Sequence, residues 1–266
     1  MTGTTPALDA AGTEAFDILA RARADRRPCP PVRTVLAPGD IDAAYAVQSA
    51  WVAGRLAAGD RVIGRKIGLT NAAVQAQFGV HEPDFGTLLA SMDCPQGAPV
   101  ETGRLLQPRI EAEIAFVLAR DLDAPDIGPA DVLAATGAVA AALEIVDSRV
   151  AGWDISIVDT VADNASAGLF TLGADRRPPG GLDLSGCPML LRRGAEEVSR
   201  GTGAASLGHP AIAVAWLANT ARSHGHPLRS GEIVLSGSLG PIVPVAAGDE
   251  FTAEIGGLGT VTAVFR

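Results

Sequence analysis

Hydrophobic residues recur at helical spacing through the first part of the chain. The stretch TEAFDILARARADR, residues 13–26, places its apolar side chains on one face of a helix. Asp40 stands where an N-cap residue would begin a second helix over residues 41–59, and Gly59 is typical of a helix end. The pattern therefore predicts a helical N-terminal segment over residues 1–60.

From residue 61 onward the pattern changes to short apolar runs separated by Gly and Pro. We predict strands, short helices and one longer helix in a single body over residues 61–266. The strands are RVIGRKIGL and PRIEAEIAF, a hairpin in CPMLLRRGAEEVSRG, and several in the last forty residues; the helices are NAAVQAQFG after Thr70, PADVLAATG, and HPAIAVAWLANTARSHG with Pro210 in its first turn. The run AVAAALEIVDSR, residues 138–149, fits either a helix or a strand at its start. Together these elements predict an α+β protein with a β-rich body.

Composition and charge narrow the function classes. The chain has 266 residues, 47% of them hydrophobic, with 21 basic against 30 acidic residues and a net charge of −9. This acidic balance, without a basic run and with only 4% aromatic residues, disfavours nucleic acid and an anionic membrane surface as partners. Three scattered cysteines indicate neither a zinc site nor a disulfide framework, and no signal peptide or membrane-spanning run is evident. We therefore expect a cytoplasmic protein.

The strand PRIEAEIAF carries two carboxylates on one face, because alternate strand residues point the same way. Glu111 and Glu113 are this pair, and Glu144 is the one charged residue of the apolar run 138–146. An exposed strand face would account for the pair alone. A buried third carboxylate, however, needs a partner, and a hard cation such as Mg²⁺ or Mn²⁺ would offset the repulsion of all three. The residues alone leave both interpretations open.

Three further stretches carry candidate chemistry. Lys66 lies among apolar residues in a predicted strand, where it can either extend to solvent or enter a pocket to bind an anion or move a proton. Asp84, between Pro and Phe-Gly, is either a turn residue or a second proton-transfer group. DTVADNASAG, residues 159–168, and LSGSLG, residues 235–240, read as polar loops, and neither has the arrangement of a nucleotide site.

Several blocks of the sequence together resemble the 2-keto-4-pentenoate hydratase family of the fumarylacetoacetate hydrolase superfamily. The resemblance extends from about residue 40 to the end, with the blocks in the order that the family has. The blocks are GRKIGLTNAAVQAQFGVHEPDFGTLLASM, LQPRIEAEIAFVLARDL, ALEIVDSRVAGWDISIVDTVADNAS, AGLFTLG, SLGHP and LSGSLGPIVPVAAGD.

The resemblance implies a curved, barrel-like mixed sheet, like that of the fumarylacetoacetate hydrolase C-terminal domain. It implies a Mg²⁺ or Mn²⁺ site on Glu111, Glu113 and Glu144. The family's lysine and aspartate fall on Lys66 and Asp84, which we expect to be catalytic. We expect four other residues to bind the substrate: Leu69, Asn164, Ser166 and Ser238.

The implied reaction is the addition of water to 2-hydroxypenta-2,4-dienoate, giving 4-hydroxy-2-oxopentanoate, in the degradation of aromatic compounds by meta-cleavage. Two relatives by motif are alternatives: 4-oxalocrotonate decarboxylase and 2-oxohept-3-enedioate hydratase, whose diacid substrates should need a further cation. A non-catalytic assembly subunit is an alternative of a different class. We expect a homo-oligomer, with a complex with neighbouring pathway enzymes as a further hypothesis.

Overall fold

The computed structural model describes residues 7–71, 75 and 82–266. Five α-helices lie within these residues: α1 (Ala10–Asp25), α2 (Ile41–Ala57), α3 (Pro129–Ala135), α4 (Ile157–Ala162) and α5 (Pro210–Ser223). The strands are β1 (Val62–Gly68), β2 (Asp84–Leu89), β3 (Pro99–Val100), β4 (Pro108–Leu118), β5 (Thr136–Asp147), β6 (Ala167–Leu172), β7 (Pro188–Arg193), β8 (Glu196–Thr202), β9 (Ile233–Leu235), β10 (Val243–Pro244), β11 (Glu250–Ile255) and β12 (Gly259–Phe265). The predicted α+β composition is confirmed.

Both N-terminal helices begin at an aspartate that caps the first turn. The carboxylate of Asp9 accepts a hydrogen bond from the Gly12 amide at 2.7 Å, and Asp40 accepts one from the Ala43 amide at 3.0 Å. Each side chain thereby satisfies an amide that has no partner inside the first helical turn. The predicted cap at Asp40 is confirmed, and α2 ends two residues before Gly59.

The larger of the two sheets carries the candidate site. It contains seven strands in the order β2-β1-β9-β4-β5-β6, and β10 pairs with the edge of β4. Most pairs are antiparallel, but β1 and β9 run parallel, so the sheet is mixed. The sheet is curled into a half-barrel, as the resemblance implied. A second sheet of five strands, in the order β3-β12-β11-β7-β8, includes the predicted β7–β8 hairpin.

The apolar run whose start the sequence left open is a strand. β5 pairs with β4 on one side and with β6 on the other, and ten of its twelve residues are buried. A strand covered on both faces needs no alternation of polar and apolar residues, which explains its continuous apolar sequence. Tertiary pairing therefore decides the conformation here.

The polar stretch 159–168 is not simply a loop. Its first residues continue α4, which begins at a capping box: the carboxylate of Asp159 accepts hydrogen bonds from the amide and the hydroxyl of Ser156, both at 2.8 Å. A short turn over residues 164–166 then leads into β6. The interpretation as a loop was wrong for residues 159–162.

Two further predictions concern the segment after Thr70 and the division of the chain at residue 60. The helix predicted over residues 71–79 lies mostly outside the described residues. The division of the chain at residue 60 stays a prediction; α2 packs against α4 of the predicted second segment.

Candidate active site

Strand pairing brings the three glutamates together. Glu111 on β4 lies directly opposite Glu144 on β5 in the antiparallel register, and Glu113 follows two residues later on the same face of β4. Oxygen atoms of the three carboxylates lie within 4.8 Å of one another. The exposed-face interpretation does not hold, because Glu113 and Glu144 are fully buried and Glu111 is 8% exposed.

The electrostatics of the cluster favour a cation. Burial and the charge of Glu144 raise the pKa of Glu111 to about 7. Burial and both neighbouring carboxylates raise the pKa of Glu113 well above its usual value, and burial raises the pKa of Glu144. One oxygen of Glu113 and both oxygens of Glu144 accept no hydrogen bond. Buried carboxylate oxygens that hydrogen bonds leave largely unsatisfied, arranged within one ion's reach, suit a hard divalent cation with oxygen ligands.

Backbone after β9 supports the cluster from the other side. The amide of Gly237 donates a 2.6 Å hydrogen bond to the second oxygen of Glu113, which fixes that carboxylate. Gly237 has a φ of +98°, and a Cβ there would lie 2.2 Å from the hydroxyl oxygen of Thr70. This position therefore requires glycine for both conformation and space.

Lys66 reaches the cluster from β1. Its ammonium nitrogen lies 3.3 Å from Glu144 Oε1 and donates a 2.9 Å hydrogen bond to the carbonyl of Ala165. The side chain is 3% exposed, so it does not extend to solvent. Burial alone would lower the pKa of Lys66, but the nearby carboxylates, Glu144 foremost, outweigh burial and raise that pKa above its usual value. The surrounding carboxylates thus favour the charged form of Lys66.

The carbonyl that Lys66 contacts is held by an unusual turn. Asn164, Ala165 and Ser166 have φ values of 58°, 50° and 53°, in the left-handed region that non-glycine residues rarely adopt. The Asn164 side chain accepts from the Thr87 amide at 2.8 Å and donates to the Thr87 carbonyl at 3.0 Å. These two bonds anchor the turn to β2.

Asp84 lies beside Lys66 at the start of β2. One of its oxygens accepts a 2.9 Å hydrogen bond from the hydroxyl of Thr160 on α4, and the other, Oδ1, accepts none. Burial raises the pKa of Asp84, although the charge of Lys66 opposes the rise. A Cβ at Gly68 would lie 2.1 Å from Asp84 Oδ1, so the absence of a side chain at residue 68 makes room for this carboxylate.

A cavity of about 110 Å³ lies beside these groups. Its lining includes Lys66, Asp84 and Glu111 together with three of the four predicted substrate-binding residues: Leu69, Ser166 and Ser238. The remainder is mainly apolar, with Val146, Trp153, Ile155 and Ile242 among the lining residues.

The four predicted substrate-binding residues differ in whether their side chains already have hydrogen-bond partners. The hydroxyl of Ser166 is buried without a hydrogen-bond partner, whereas the hydroxyl of Ser238 donates to the Gly240 carbonyl at 2.6 Å. Leu69 offers an apolar side chain and has a φ of +57°. The amide of Asn164 does not line the cavity and is engaged with Thr87. This geometry favours a supporting role for Asn164, while substrate contact by the other three stays a prediction.

Sequence reasoning missed several members of the site. Thr160 lies inside the stretch 159–168, but nothing in that stretch marked it as the partner of Asp84. The carbonyl of Ala165 and the amide of Gly237 are backbone groups, which a sequence cannot single out. The glycine within the strand run RKIGL was the one available signal for Gly68, because glycine in a strand often marks a close approach.

The fold and the site together define the class of this protein. It is an α+β enzyme with the fold of the fumarylacetoacetate hydrolases. The family model for the fumarylacetoacetate (FAA) hydrolase C-terminal domain matches residues 63–266. The structure of 4-oxalocrotonate decarboxylase from Pseudomonas putida G7, complexed with magnesium and adipate, superimposes with a TM-score of 0.93 at 32% identity, covering 99% of this chain and 100% of that one.

Comparison with relatives of similar length identifies the family within this superfamily. The chain is 50% identical over 248 residues to 2-keto-4-pentenoate hydratase 2 of Dechloromonas aromatica, covering 93% of this chain and 95% of the relative. It is 48% identical over 262 residues to the TodF product hydratase of Pseudomonas putida, covering 97% and 98%. This chain belongs to the 2-keto-4-pentenoate hydratase family within the fumarylacetoacetate hydrolase superfamily. The resemblance drawn from the sequence blocks is confirmed, as is the fold that it implied.

Proposed function

We propose that this chain is a metal-dependent hydro-lyase that adds water to 2-hydroxypenta-2,4-dienoate to give 4-hydroxy-2-oxopentanoate. The observation that carries the proposal is a cluster of three buried glutamates that opens through Glu111 onto a cavity also lined by Lys66 and Asp84. Names of relatives at about 50% identity support the same reaction. The glutamate cluster also argues against a non-catalytic assembly subunit, because such a subunit would have no need of buried carboxylates that repel one another.

The chemistry requires the alkene to become electrophilic before water can add. Moving the proton of the 2-hydroxyl group to C5 converts the dienol into an α,β-unsaturated ketone whose C4 accepts water, after which C3 takes a proton. A Mg²⁺ or Mn²⁺ ion held by Glu111, Glu113 and Glu144 would supply a Lewis acid that stabilises negative charge on the 2-oxygen. Hard-cation ligation is supported by the magnesium complex of the decarboxylase.

Lys66 and Asp84 are our candidates for the proton transfers. Lys66 enters as a buried cation, so it can donate a proton or stabilise the substrate's negative charge. Asp84 has a raised pKa and a free oxygen, which suits a group that both gives and takes protons. The unpaired hydroxyl of Ser166 and the hydroxyl of Ser238, which both line the cavity, would hold the carboxylate end of the substrate, with Leu69 against its carbon chain.

The lining of the cavity favours a monoacid over a diacid substrate. Among the described lining residues, Lys66 is the one cationic side chain, and it already contacts Glu144. Arg109 lies over the ring of Trp153, 4.5 Å from its centroid, and is not part of the lining. A second carboxylate, as in 4-oxalocrotonate, would therefore enter an apolar region without a counter-charge, at a large cost in desolvation. We rank the decarboxylase and the diacid hydratase below the monoacid hydratase.

The test is incubation of the metal-loaded protein with freshly generated 2-hydroxypenta-2,4-dienoate. We expect loss of the dienol's ultraviolet absorbance and a product heavier by about 18 Da, the mass of water, while a decarboxylated diacid would be lighter by about 44 Da. Protein treated with EDTA is the matched control and should be inactive. Turnover of the diacid alone would overturn the monoacid assignment.

The cellular location and the assembly of the enzyme are further parts of the proposal. Among the described residues, no helix combines the length and apolarity needed to cross a bilayer. A cytoplasmic location suits three buried free thiols, Cys29, Cys94 and Cys187. We further propose a homo-oligomer and, as a separate hypothesis, association with neighbouring pathway enzymes. Sedimentation showing only a 27.0 kDa species would contradict the oligomer.

A further inference from the structure

A buried glutamine joins the N-terminal helices to the candidate active site. Gln48 lies on α2 and is 3% exposed. Its amide nitrogen donates two hydrogen bonds, one to the carbonyl of Phe85 on β2 at 3.0 Å and one to the carbonyl of Val161 on α4 at 2.9 Å. Both N–H groups of one amide are thus used to connect two elements that are more than seventy residues apart in sequence.

Each of the two carbonyls belongs to the residue that directly follows a residue of the candidate site. Phe85 directly follows Asp84, and Val161 directly follows Thr160. Asp84 and Thr160 are the residues joined by the 2.9 Å hydrogen bond at the cavity. Gln48 therefore fixes the backbone of β2 and of α4 at the level where these two side chains meet.

We propose that Gln48 is a positioning residue for Asp84, acting through the spacing between β2 and α4. This inference rests on the proposed function, in which Asp84 transfers protons. When Gln48 fixes this spacing, the Thr160 hydroxyl bonds to one oxygen of Asp84 and the other oxygen, Oδ1, stays available to the substrate. When the two hydrogen bonds of Gln48 are lost, β2 and α4 separate, the Thr160–Asp84 bond lengthens, and the carboxylate turns away from the substrate.

The size of the expected effect follows from the geometry of proton transfer. A displacement of about 1 Å in a catalytic group can reduce turnover by about 100-fold. Methionine has nearly the shape of glutamine but donates no hydrogen bond, so Gln48→Met removes both contacts with little change in volume. We expect Gln48→Met to lower kcat by about 10-fold or more, with KM and Mg²⁺ affinity changed by less than about twofold.

A general loss of rigidity is the competing explanation, and the chain offers a matched control. Asn219 on α5 also uses one amide nitrogen for two carbonyls, those of Ile127 and Ala215, both at 2.9 Å. Neither carbonyl belongs to the site or to an element that bears a site residue. Asn219→Leu should therefore lower thermal stability without changing kcat by more than about twofold.

A double-mutant cycle with Thr160→Val separates positioning from simple support. If Gln48 acts through the Thr160–Asp84 bond, then Gln48→Met should cost less than about twofold in kcat once Thr160 has lost its hydroxyl. The Asn219→Leu change should have the same small effect in both backgrounds. Equal losses from Gln48→Met in the two backgrounds, or an unchanged kcat in the single variant, would overturn the proposal.

An activity-free measurement distinguishes this inference from the proposed function. In a crystal structure of Gln48→Met, the Thr160 Oγ1–Asp84 Oδ2 distance should exceed about 3.5 Å, the outer limit of a hydrogen bond. A distance still near 2.9 Å would refute the positioning role whatever the substrate is. Failure of the wild-type enzyme to hydrate the dienoate would refute only the function. If Gln48→Met does not fold, Gln48→Asn, which keeps the amide but cannot reach both carbonyls, takes its place in the cycle.

Discussion

The ammonium nitrogen of Lys66 lies 3.3 Å from a carboxylate oxygen of Glu144, although two strands separate β1 from β5 in the sheet. In a flat sheet three strand spacings amount to about 14 Å, which is too far for this contact to form without curvature. The curl of the sheet thus brings the ammonium group of Lys66 to the face that carries the glutamate cluster. Fold and site are coupled at this ion pair.

Removing one carboxylate of the cluster should abolish tight metal binding. We expect Glu144→Gln to weaken Mg²⁺ binding by at least about 100-fold, because affinity for a hard cation depends on charged oxygen ligands. Calorimetry on the folded variant measures the change. Glu254→Gln, an exposed strand glutamate in the other sheet, is the control and should bind as wild type does. Unchanged affinity and turnover at limiting Mg²⁺ in Glu144→Gln would refute the metal assignment.

The metal-free protein should lose stability as the pH rises from weakly acidic values toward neutrality. Burial and the charge of Glu144 raise the pKa of Glu111 from 4.5 to about 7, so the folded state binds this proton more tightly than the unfolded state does. The contribution is therefore fully present below about pH 4.5 and is lost between about pH 4.5 and 7. At about 1.4 kcal/mol for each pKa unit, the loss from Glu111 is on the order of 3 kcal/mol.

Urea unfolding between pH 5 and 8 in EDTA measures this effect as the difference between wild type and Glu111→Gln. The difference isolates Glu111 from the other titrating groups of the chain. Saturating Mg²⁺ should remove the decline, because the ion takes the place of the protons. Identical pH dependence of the two metal-free proteins would show that Glu111 titrates normally.

Filling the space beside Asp84 should damage the site more than the fold. A Cβ at Gly68 would lie 2.1 Å from Asp84 Oδ1, so Gly68→Ala should displace that carboxylate, destabilise the protein by about 1–3 kcal/mol and lower kcat. Gly54→Ala on α2 meets nothing within 4 Å and should stabilise the protein by about 0.5–1 kcal/mol at unchanged kcat. Wild-type turnover in Gly68→Ala would mean that the position of Asp84 is unimportant for catalysis.

Loss of either proton-transfer group should appear in kcat. We expect Lys66→Met and Asp84→Asn to lower kcat by about 10²–10⁴-fold with a much smaller change in KM, because such groups act in the transition state. Metal content should stay near wild type. If Lys66 only anchors the substrate carboxylate, its removal will instead raise KM at a wild-type kcat. A wild-type kcat in Asp84→Asn would remove Asp84 from the proton-transfer step and leave it a structural residue at the start of β2.

The sequence specified best what depends on local chemistry. Asp40 caps a helix because its own carboxylate reaches the Ala43 amide three residues later, and this needs no tertiary information. The pairing of Glu111 and Glu113 on one face follows from strand geometry alone. The third glutamate could be inferred from its apolar surroundings, because a buried carboxylate needs a partner.

What the sequence could not give depends on packing between distant segments. The strand conformation of β5 follows from neighbours on both sides, and the pairing of Thr160 with Asp84 joins residues 76 positions apart. The left-handed turn at residues 164–166 contains no glycine, so its strained backbone is set by the bonds of Asn164 to Thr87. Each of these features is a product of the assembled sheet.

The strand order separates the two kinds of chemistry. The proposed ligands of the ion lie on the antiparallel pair β4–β5, and the proposed proton-transfer groups lie on the antiparallel pair β1–β2, with β9 between the two pairs. The proposed site therefore consists of two parts encoded in different stretches of the gene, a carboxylate part and an acid–base part, which meet at the Lys66–Glu144 ion pair. Substitutions on β1 and β2 that leave Lys66 in place should accordingly change the acid–base chemistry more than the affinity for the ion.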